Sequence, residues 1–534
     1  MPIRPLILAG LLCASRAYAQ HDDHKTPGRH GVHTAALGHV TFPNSGSAAA
    51  QKPFLTGLAL LHSFEYDAAA DSFRVATKID PKFALAYWME ALTNSKVIWG
   101  LEDLPAARAT LARLAPSTES RLALARSPGE RAFGSAVEAF YGEGELRSRV
   151  SRFAEALRRW TVSMPSDPEA RAFAALALIW EAYYLRAGAA DSLNREAVTH
   201  AQYLFDRNPQ HPGAAHYIIH ASDAPAAAHR GLRAAREYSR IAPDAEHALH
   251  MPSHIFLPLG LWDDMVDSNE RAWRASRADV ARHDDPAWEN DWHSLNWLQY
   301  AYLQLGRWKD ARALIDTARA LTAGMQDKVK AADLPDAAYA TEELAFRYGA
   351  ETGDWSAFPV DSVRIDTKDA TISVRARSMA LGSLYQRGTI AAMRGDSTTA
   401  ITMAEAIRAP REAMASLIEI SLLEKRGDRR TVIAALEKLR PQARVDRYSS
   451  MRPSPVLNID ETLGAALVVA GRPRDAIEVY REALKDRPGR AASLLGLARA
   501  QSAAGDKSAA GQTYAELAKI WNRADPEVKA LIEK

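Results

Sequence analysis

A 34-residue spacing between two glycines near the C-terminus is the strongest constraint on the fold. Gly471 and Gly505 are 34 residues apart. Small and aromatic residues follow both glycines at equal distances, namely Ala476 and Tyr480 after the first, and Ala510 and Tyr514 after the second. Glycine permits a tight turn after one helix, and alanine lets the next helix pack closely. Because such units bury their apolar faces only by stacking on neighbours, the sequence predicts an array of helix pairs.

Other residues extend this array towards the N-terminus. Gly260, Gly306 and Gly353 are each followed two residues later by tryptophan, and Gly395 and Gly427 mark weaker units. Near the start, five residues fit the same frame: Tyr66, Ala69, Phe73, Ala76 and Pro81. The period and these residues resemble the tetratricopeptide repeat. The resemblance predicts an all-α superhelical solenoid from about residue 51, in which each helix pair touches only its neighbours.

Composition limits the domain organisation and the function classes. The chain has 534 residues, 67 Lys+Arg and 65 Asp+Glu, so no basic surface for nucleic acid is expected. Cys13 is the only cysteine, which excludes intramolecular disulfides and sites built from several thiolates. The sequence predicts four segments: a signal peptide at 1–19, a flexible histidine-containing arm at 20–50, a first tetratricopeptide-like solenoid at 51–330, and a second at 331–534.

The N-terminus has the features of a Sec-type signal peptide. Arg4 provides the positive charge, Pro5–Ala14 the short apolar segment, and Ala17 and Ala19 the small residues before a cleavage site. A buried N-terminal helix and a lipoprotein anchored at Cys13 are the alternatives. The favoured interpretation is a periplasmic or secreted protein cleaved after Ala19. No later stretch is long and apolar enough to predict a membrane span in the mature chain.

Histidines are concentrated in one part of the chain. Nine of the sixteen lie between His211 and His293, and none follows His293. His216 and His220 are four residues apart, as are His250 and His254, so each pair is predicted to share one helix face. Two imidazoles one helical turn apart are a common way to bind a transition metal. Pro252 complicates the second pair, because it would start a helix between the two histidines.

The repeat frame places several histidines in equivalent positions. Counting from Gly260 as position 15, His247, His250 and His254 occupy positions 2, 5 and 9, and the 34-residue period maps the last two onto His216 and His220. In proteins that the chain resembles, these positions face the concave groove and contact ligands. The predicted metal ligands are therefore His216, His220, His247, His250, His254 and His293. Asp223, Glu246, Glu289 and Asp291 are candidate carboxylates for orienting them.

Two functions follow from this pattern. The first is an exported solenoid that binds a transition metal, copper, zinc or iron, in its groove, either for binding alone or as a metalloenzyme. The second is a non-catalytic scaffold that binds a peptide or an envelope protein. Histidines with a purely structural role, and a groove that binds an organic ligand, are further alternatives. The sequence contains no phosphate-binding loop, nucleophile elbow or dinucleotide fingerprint.

Several segments resemble a group of secreted bacterial tetratricopeptide-repeat proteins. The similar segments are 38–43 (GHVTFP), 60–66 (LLHSFEY), 86–88 (AYW), 211–220 and 247–255. Relatives have Ser-Cys after the Phe-Pro pair, whereas Asn44-Ser45-Gly46 stands here without a cysteine. The group has no established activity, so the resemblance implies only the fold and export. The missing cysteine argues against a thiol role in this chain.

Overall fold

The structure is a computed structural model that describes residues 36–185, 187–325, 335–358, 374–447, 453 and 457–533. Contacts divide it into two units. The N-terminal unit contains the described residues up to Phe256, with Arg274–Ser276, and the C-terminal unit contains Leu257–Trp273 and the described residues from Arg277 onward. The predicted signal peptide and the predicted boundary between residues 330 and 331 lie outside the described residues.

The described chain is almost entirely α-helical. The first helices are α1 (Ala48–His62), α2 (Tyr66–Ile79), α3 (Ala84–Leu92), α4 (Leu104–Leu114), α5 (Thr118–Leu122), α6 (Pro128–Phe140), α7 (Leu146–Ser163), α8 (Pro168–Tyr183), α9 (Ala187–Arg207), α10 (Pro212–Ala221), α11 (Ala228–Ile241), α12 (Glu246–His250) and α13 (Ser253–Leu259). A two-stranded antiparallel hairpin, β1 (Ser95–Lys96) and β2 (Leu101–Glu102), encloses a 3-10 turn at Val97–Trp99. This hairpin connects α3 to α4.

The remaining helices continue the array to the C-terminus. They are α14 (Trp262–His283), α15 (Trp292–Gln304), α16 (Trp308–Thr322), α17 (Pro335–Thr352), α18 (Val374–Arg394), α19 (Ser397–Arg408), α20 (Glu412–Lys425), α21 (Arg429–Arg447), α22 (Ile459–Val469), α23 (Pro473–Asp486), α24 (Ala491–Ala503), α25 (Lys507–Ile520) and α26 (Pro526–Lys529). Short 3-10 turns occur at Ala287–Glu289, Trp355–Ala357 and Trp521–Arg523. Among the described residues, no helix combines the length and apolarity needed to cross a membrane.

Glycines end the helices where the repeat spacing predicts that they should. Gly260, Gly306, Gly353, Gly395, Gly427, Gly471 and Gly505 all have positive φ, between 67° and 85°. A left-handed residue after a helix lets backbone N–H groups close onto the last carbonyls, and glycine adopts it without a side-chain clash. The predicted all-α fold of tetratricopeptide-like helix pairs is confirmed by these turns and by the helices that they join.

The small and aromatic repeat positions form the packed faces of the helices. Ala69, Phe73 and Ala76 of α2 are completely buried, and Tyr480 of α23 is 4% exposed. The ring of Tyr480 lies against Gly464 of α22, where a Cβ would come within 2.5 Å of it. A glycine on one helix therefore makes room for the aromatic residue of the next.

The C-terminal unit departs from a simple array. The indole N–H of Trp521 donates to the Gln304 carbonyl at 3.0 Å, and the backbone N–H of Asp525 donates to the Gly306 carbonyl at 3.0 Å. Trp262 likewise donates to the Gly489 carbonyl at 2.8 Å. The prediction that each helix pair touches only its neighbours is therefore wrong for this unit, because its last helices pack against its first ones.

The predicted flexible arm is also wrong for its described part. Residues 36–47 form no helix or strand, and Leu37, Val40 and Phe42 are buried. The backbone N–H of His39 donates to the Gln210 carbonyl at 2.8 Å, which ties the segment to the loop before α10. Apolar residues at intervals of two to three positions, too few to predict an element from sequence, hold this segment onto the N-terminal unit.

Candidate functional site

Three of the predicted ligands converge inside the N-terminal unit. His216 and His220 lie one turn apart on α10, with their ring centroids 4.7 Å apart. His247 belongs to the short helix α12, and its Nε2 atom is 3.1 Å from Nε2 of His216. One ring nitrogen from each of the three histidines lies within 4.8 Å of the others. We call these three residues the histidine cluster.

Local sequence explains how α10 presents its two histidines. Pro212 occupies the first turn of the helix, where its missing N–H costs nothing, and His211 is the N-cap residue. Nδ1 of His211 accepts the backbone N–H of Ala214 at 3.2 Å. The predicted shared face of His216 and His220 is thus confirmed.

The tautomer of His216 is fixed by a backbone carbonyl. Nδ1 of His216 lies 2.7 Å from the carbonyl oxygen of His62. A carbonyl oxygen can only accept, so Nδ1 carries the proton and Nε2 carries the lone pair. That lone pair is directed towards His247, and an imidazole whose other nitrogen donates to a carbonyl is the usual form of a metal ligand.

Burial keeps the histidine cluster neutral. It lowers the pKa of His216 to about 3 and holds the pKa values of His220 and His247 well below the ordinary value of 6.5. The neighbouring imidazoles lower these pKa values further. Neutral imidazole is the form that binds a metal ion, so the cluster would not have to lose protons at neutral pH.

His220 adds a second available nitrogen to the histidine cluster. Its Nε2 atom is buried and has no hydrogen-bond partner among the described residues. A buried nitrogen without a partner is costly and calls for an explanation such as a bound ion or water. Aromatic rings surround the cluster, and Tyr238 stacks on His216 with the ring centroids 5.1 Å apart.

The structure corrects the predicted geometry of His250 and His254. Helix α12 ends at His250 and α13 begins at Ser253, so Pro252 separates the two residues into different helices and the predicted single face is wrong. Their rings nevertheless lie 5.3 Å apart in an edge-to-face arrangement. Nδ1 of His254 lies 2.8 Å from Oδ2 of Asp223, so the predicted role of this carboxylate in orienting an imidazole fits the geometry.

The predicted position of these histidines on the concave groove is also corrected, because they lie in the interior. His216, His220, His247, His250 and His254 are all buried, and none is more than 9% exposed. The chain that follows α1 covers the cluster, because the ring of Phe64 lies against three of these histidines.

His293 lies in the C-terminal unit, in the first turn of α15, whose N-cap is Asp291. Its predicted approach to the other five histidines stays a prediction.

A buried network that the sequence did not predict lies beside the histidine cluster. His62 Nε2 is 2.8 Å from Oε2 of Glu169, and His211 Nε2 is 3.1 Å from Oε1 of the same carboxylate. Nδ1 of His62 also lies 2.8 Å from the hydroxyl of Tyr217. All three members of the His62–Glu169–His211 network are completely buried. Burial alone would raise the pKa of Glu169, but the two neighbouring imidazoles lower it to about 2.

The protonation of His211 argues against a metal ion in this network. The backbone N–H of Ala214 can only donate, so Nδ1 of His211 carries a lone pair and the proton lies on Nε2, facing Glu169. Because the Ala214 N–H occupies the lone pair of Nδ1, the proton of this neutral imidazole cannot move from Nε2 to Nδ1, and Nε2 of His211 is not available to a metal ion. The network is instead a buried carboxylate that accepts two imidazole N–H groups, and the backbone carbonyl of His62 connects it to His216.

The sequence offers little signal for this network. His62, Glu169 and His211 come from the end of α1, the start of α8 and the N-cap of α10. They share no spacing, and only packing of the three helices brings them together.

The fold and the site together define an all-α helical-repeat protein with a buried histidine cluster. Residues 467–534 match the family described as Tetratricopeptide repeat, so the predicted repeat class is confirmed there. No curated protein sequence matches the chain.

Solved structures of tetratricopeptide-repeat proteins align with most of the chain. The TPR domain of P58(IPK) is 13% identical over 91% of this chain and 97% of its own, with a TM-score of 0.20. Yeast Tom70 is 10% identical over 90% and 95%, with a TM-score of 0.27. Human IFIT1, solved as a dimer with m7Gppp-AAAA, is 13% identical over 83% and 90%, with a TM-score of 0.32. These low scores relate none of those proteins' functions to this chain.

Proposed function

We propose that the N-terminal unit binds a transition-metal ion through His216, His220 and His247. The observation that carries the proposal is the approach of Nε2 of His216, a lone pair fixed by the His62 carbonyl, to Nε2 of His247 at 3.1 Å. Two imidazole nitrogens that bind one metal at about 2.0–2.1 Å are separated by about 2.9 Å at a right angle and about 3.4 Å at the tetrahedral angle. The observed separation lies between these values. At this distance Nε2–H of His247 donates a hydrogen bond to Nε2 of His216, so metal binding would replace that bond and move the His247 proton to Nδ1.

The donor set restricts the metal. Neutral imidazoles suit zinc, copper and iron, whereas magnesium and calcium prefer oxygen ligands. The aromatic surroundings and the burial of the histidine cluster disfavour an ion that keeps a full hydration shell. Copper, zinc and iron are therefore the proposed ions, with His250 and His254 of the same unit as predicted additional ligands.

Neighbouring groups would orient the imidazoles. The His62 carbonyl fixes the tautomer of His216, and Asp223 does the same for His254. Partners of this kind raise the basicity of a ligating imidazole and hold its ring. Catalysis would further need a coordination position open to water or substrate, so binding is the function proposed here.

Metal analysis of the purified chain tests the proposal. After reconstitution with zinc, copper or iron and removal of free ions, one of these metals should remain at one or more ions per chain. His216→Ala should lower that content, because it removes the ligand whose tautomer is fixed. His229→Ala is the matched control, since His229 is an exposed histidine on α11 in the same unit. Contents well below one ion per chain for every metal would refute the site.

A second proposed function rests on the match of residues 467–534 to the tetratricopeptide repeat. Stacked helix pairs present extended surfaces for peptides and proteins, so a scaffold that docks an envelope protein is consistent with this fold. Together with the predicted signal peptide, this proposal predicts capture of a partner from a periplasmic extract. Capture that survives a metal chelator would support a role separate from the metal, and capture lost with the chelator would join the two functions.

A further inference from the structure

One residue beside the histidine cluster has an unfavourable backbone conformation. Phe64 has φ +61°, and among the described residues only Asp284 is another non-glycine residue with positive φ. Aspartate tolerates this region because its short side chain bonds locally, whereas a bulky residue there is a genuine outlier. The conformation of Phe64 therefore needs a compensating gain.

The position of Phe64 is one that glycine fills elsewhere in this chain. The N–H of Phe64 donates to the Leu61 carbonyl at 3.1 Å, and the N–H of Glu65 donates to the Leu60 carbonyl at 3.0 Å, which closes the end of α1. Seven repeat glycines with positive φ follow helices in the C-terminal unit. The turn itself requires only a left-handed residue, so the phenyl ring must serve some other purpose.

The phenyl ring contacts every member of the histidine cluster. Its centroid is 4.3 Å from the ring of His216, 5.3 Å from His220 and 5.7 Å from His247. Phe64 is 1% exposed, and Trp99 packs on it edge to face at 5.8 Å. One rigid ring thus fixes the planes of three imidazoles that come from two helices.

We infer that Phe64 is a positioning residue for the metal site: its ring holds the three imidazoles in the orientation that binds the ion and keeps water from one side of it. The inference rests on the proposed function. The left-handed conformation of Phe64 brings its ring against all three histidines, and these contacts offset the backbone strain. Glycine at this position would relieve the backbone and uncover the imidazoles.

Cobalt(II) binding to the full chain tests this role, because the visible absorption of cobalt reports coordination number. Phe64→Leu, which keeps an apolar side chain without a flat ring, should weaken Co²⁺ binding at least tenfold. It should also reduce the absorption intensity, as water enters and the coordination number rises. Phe64→Gly should show the same two changes despite its relaxed backbone.

Phe153→Leu is the matched control, because Phe153 is a completely buried phenylalanine of the same unit that packs on Phe140 and Trp180. It should leave the Co²⁺ spectrum unchanged while it lowers stability. A wild-type affinity and spectrum in both Phe64→Leu and Phe64→Gly would overturn the role of Phe64 and leave the metal site standing. A wild-type chain that binds no Co²⁺ would overturn both.

Discussion

At the scale of single residues, the hydrogen-bond partner of Nδ1 decides what each histidine can do. His216 donates from Nδ1 to a carbonyl and keeps a lone pair on Nε2, whereas His211 accepts a backbone N–H at Nδ1 and must carry its proton on Nε2. The first is suited to bind a metal and the second to stabilise the carboxylate of Glu169. The sequence shows both histidines but does not assign these roles. The hydrogen-bond partners of their ring nitrogens are backbone groups or side chains from distant segments.

The buried carboxylate gives a prediction at this scale. Glu169→Ala should lower the free energy of unfolding by about 3–5 kcal/mol, because it leaves the N–H groups of His62 and His211 buried without an acceptor. Glu169→Gln should cost about 1–3 kcal/mol, because the amide oxygen still accepts from His211. Urea denaturation measures both values. Equal costs for the two variants would contradict this account, because the acceptor oxygen that glutamine keeps would then contribute nothing to stability.

The lowered histidine pKa values predict that the metal-free protein is sensitive to mild acid. In the unfolded chain a histidine gains its proton near its ordinary pKa of 6.5, but His216, with a pKa of about 3, stays neutral while folded. The unfolded state therefore binds more protons below pH 6.5, and stability falls by about 1.4 kcal/mol per pH unit for each such histidine. This contribution is complete above pH 6.5 and falls steadily towards pH 3.

Urea denaturation at about pH 7.5 and about pH 5.5 measures this loss in chelated protein. His220→Phe removes one of the three groups and should make the loss between these two pH values smaller by about 1.4 kcal/mol in total. Equal stability of the wild-type chain at both pH values would contradict the neutral, buried state of the histidine cluster.

At the scale of elements, the helix boundaries that could be predicted from the sequence are mostly those marked by glycine or proline. The repeat glycines ended helices as expected, and Pro212 opened α10, because their backbone requirements are local. Pro252 predicts an interruption between His250 and His254, and the structure has one between α12 and α13. The 34-residue period aligns His250 with His216, but the histidine whose Nε2 contacts Nε2 of His216 is His247. A one-turn change in register is decided by tertiary packing, which the 34-residue period does not specify.

A glycine in α10 provides a prediction for this element. Gly213→Ala should destabilise the N-terminal unit, because a Cβ there would lie 2.6 Å from Nδ1 of His62. Gly129→Ala is the matched control: Gly129 also follows a proline in the first turn of a helix, and its Cβ would meet no atom closer than 3.6 Å. Alanine at Gly129 should be neutral or stabilise by up to about 1 kcal/mol. Thermal unfolding that ranks Gly213→Ala as the more stable variant would contradict the close packing of His62.

At the scale of the whole molecule, the repeat predicts the class of fold. It does not predict the contacts between helices that are far apart in the chain. The all-α array followed from the glycine spacing, since neighbouring helices are close in sequence. The closure of the C-terminal unit depends on residues far apart in the chain. The guanidinium of Arg490 donates to Glu461, to Glu351 at 2.7 Å and to the hydroxyl of Tyr300 at 2.7 Å. No local pattern indicates a contact over 190 positions.

This closure predicts a large effect of one substitution. Arg490→Ala should lower the free energy of unfolding of the C-terminal unit by about 3–5 kcal/mol, since it leaves two largely buried carboxylates without their cation. Arg481→Ala is the control, because Arg481 pairs with Glu478 on an exposed face and should contribute at most about 1 kcal/mol. Chemical denaturation distinguishes them, and similar effects of both substitutions would argue against a structural role for the Arg490 network.

The central claim is that buried, neutral imidazoles hold a transition metal in the N-terminal unit. X-ray absorption spectroscopy of the reconstituted full chain tests it most directly, because the scattering pattern of imidazole rings identifies histidine ligands around the ion. The predicted result is a metal with at least three imidazoles at about 2.0–2.1 Å, reduced in His216→Ala and unchanged in His229→Ala. A spectrum with only oxygen neighbours, or no retained metal, would contradict the claim.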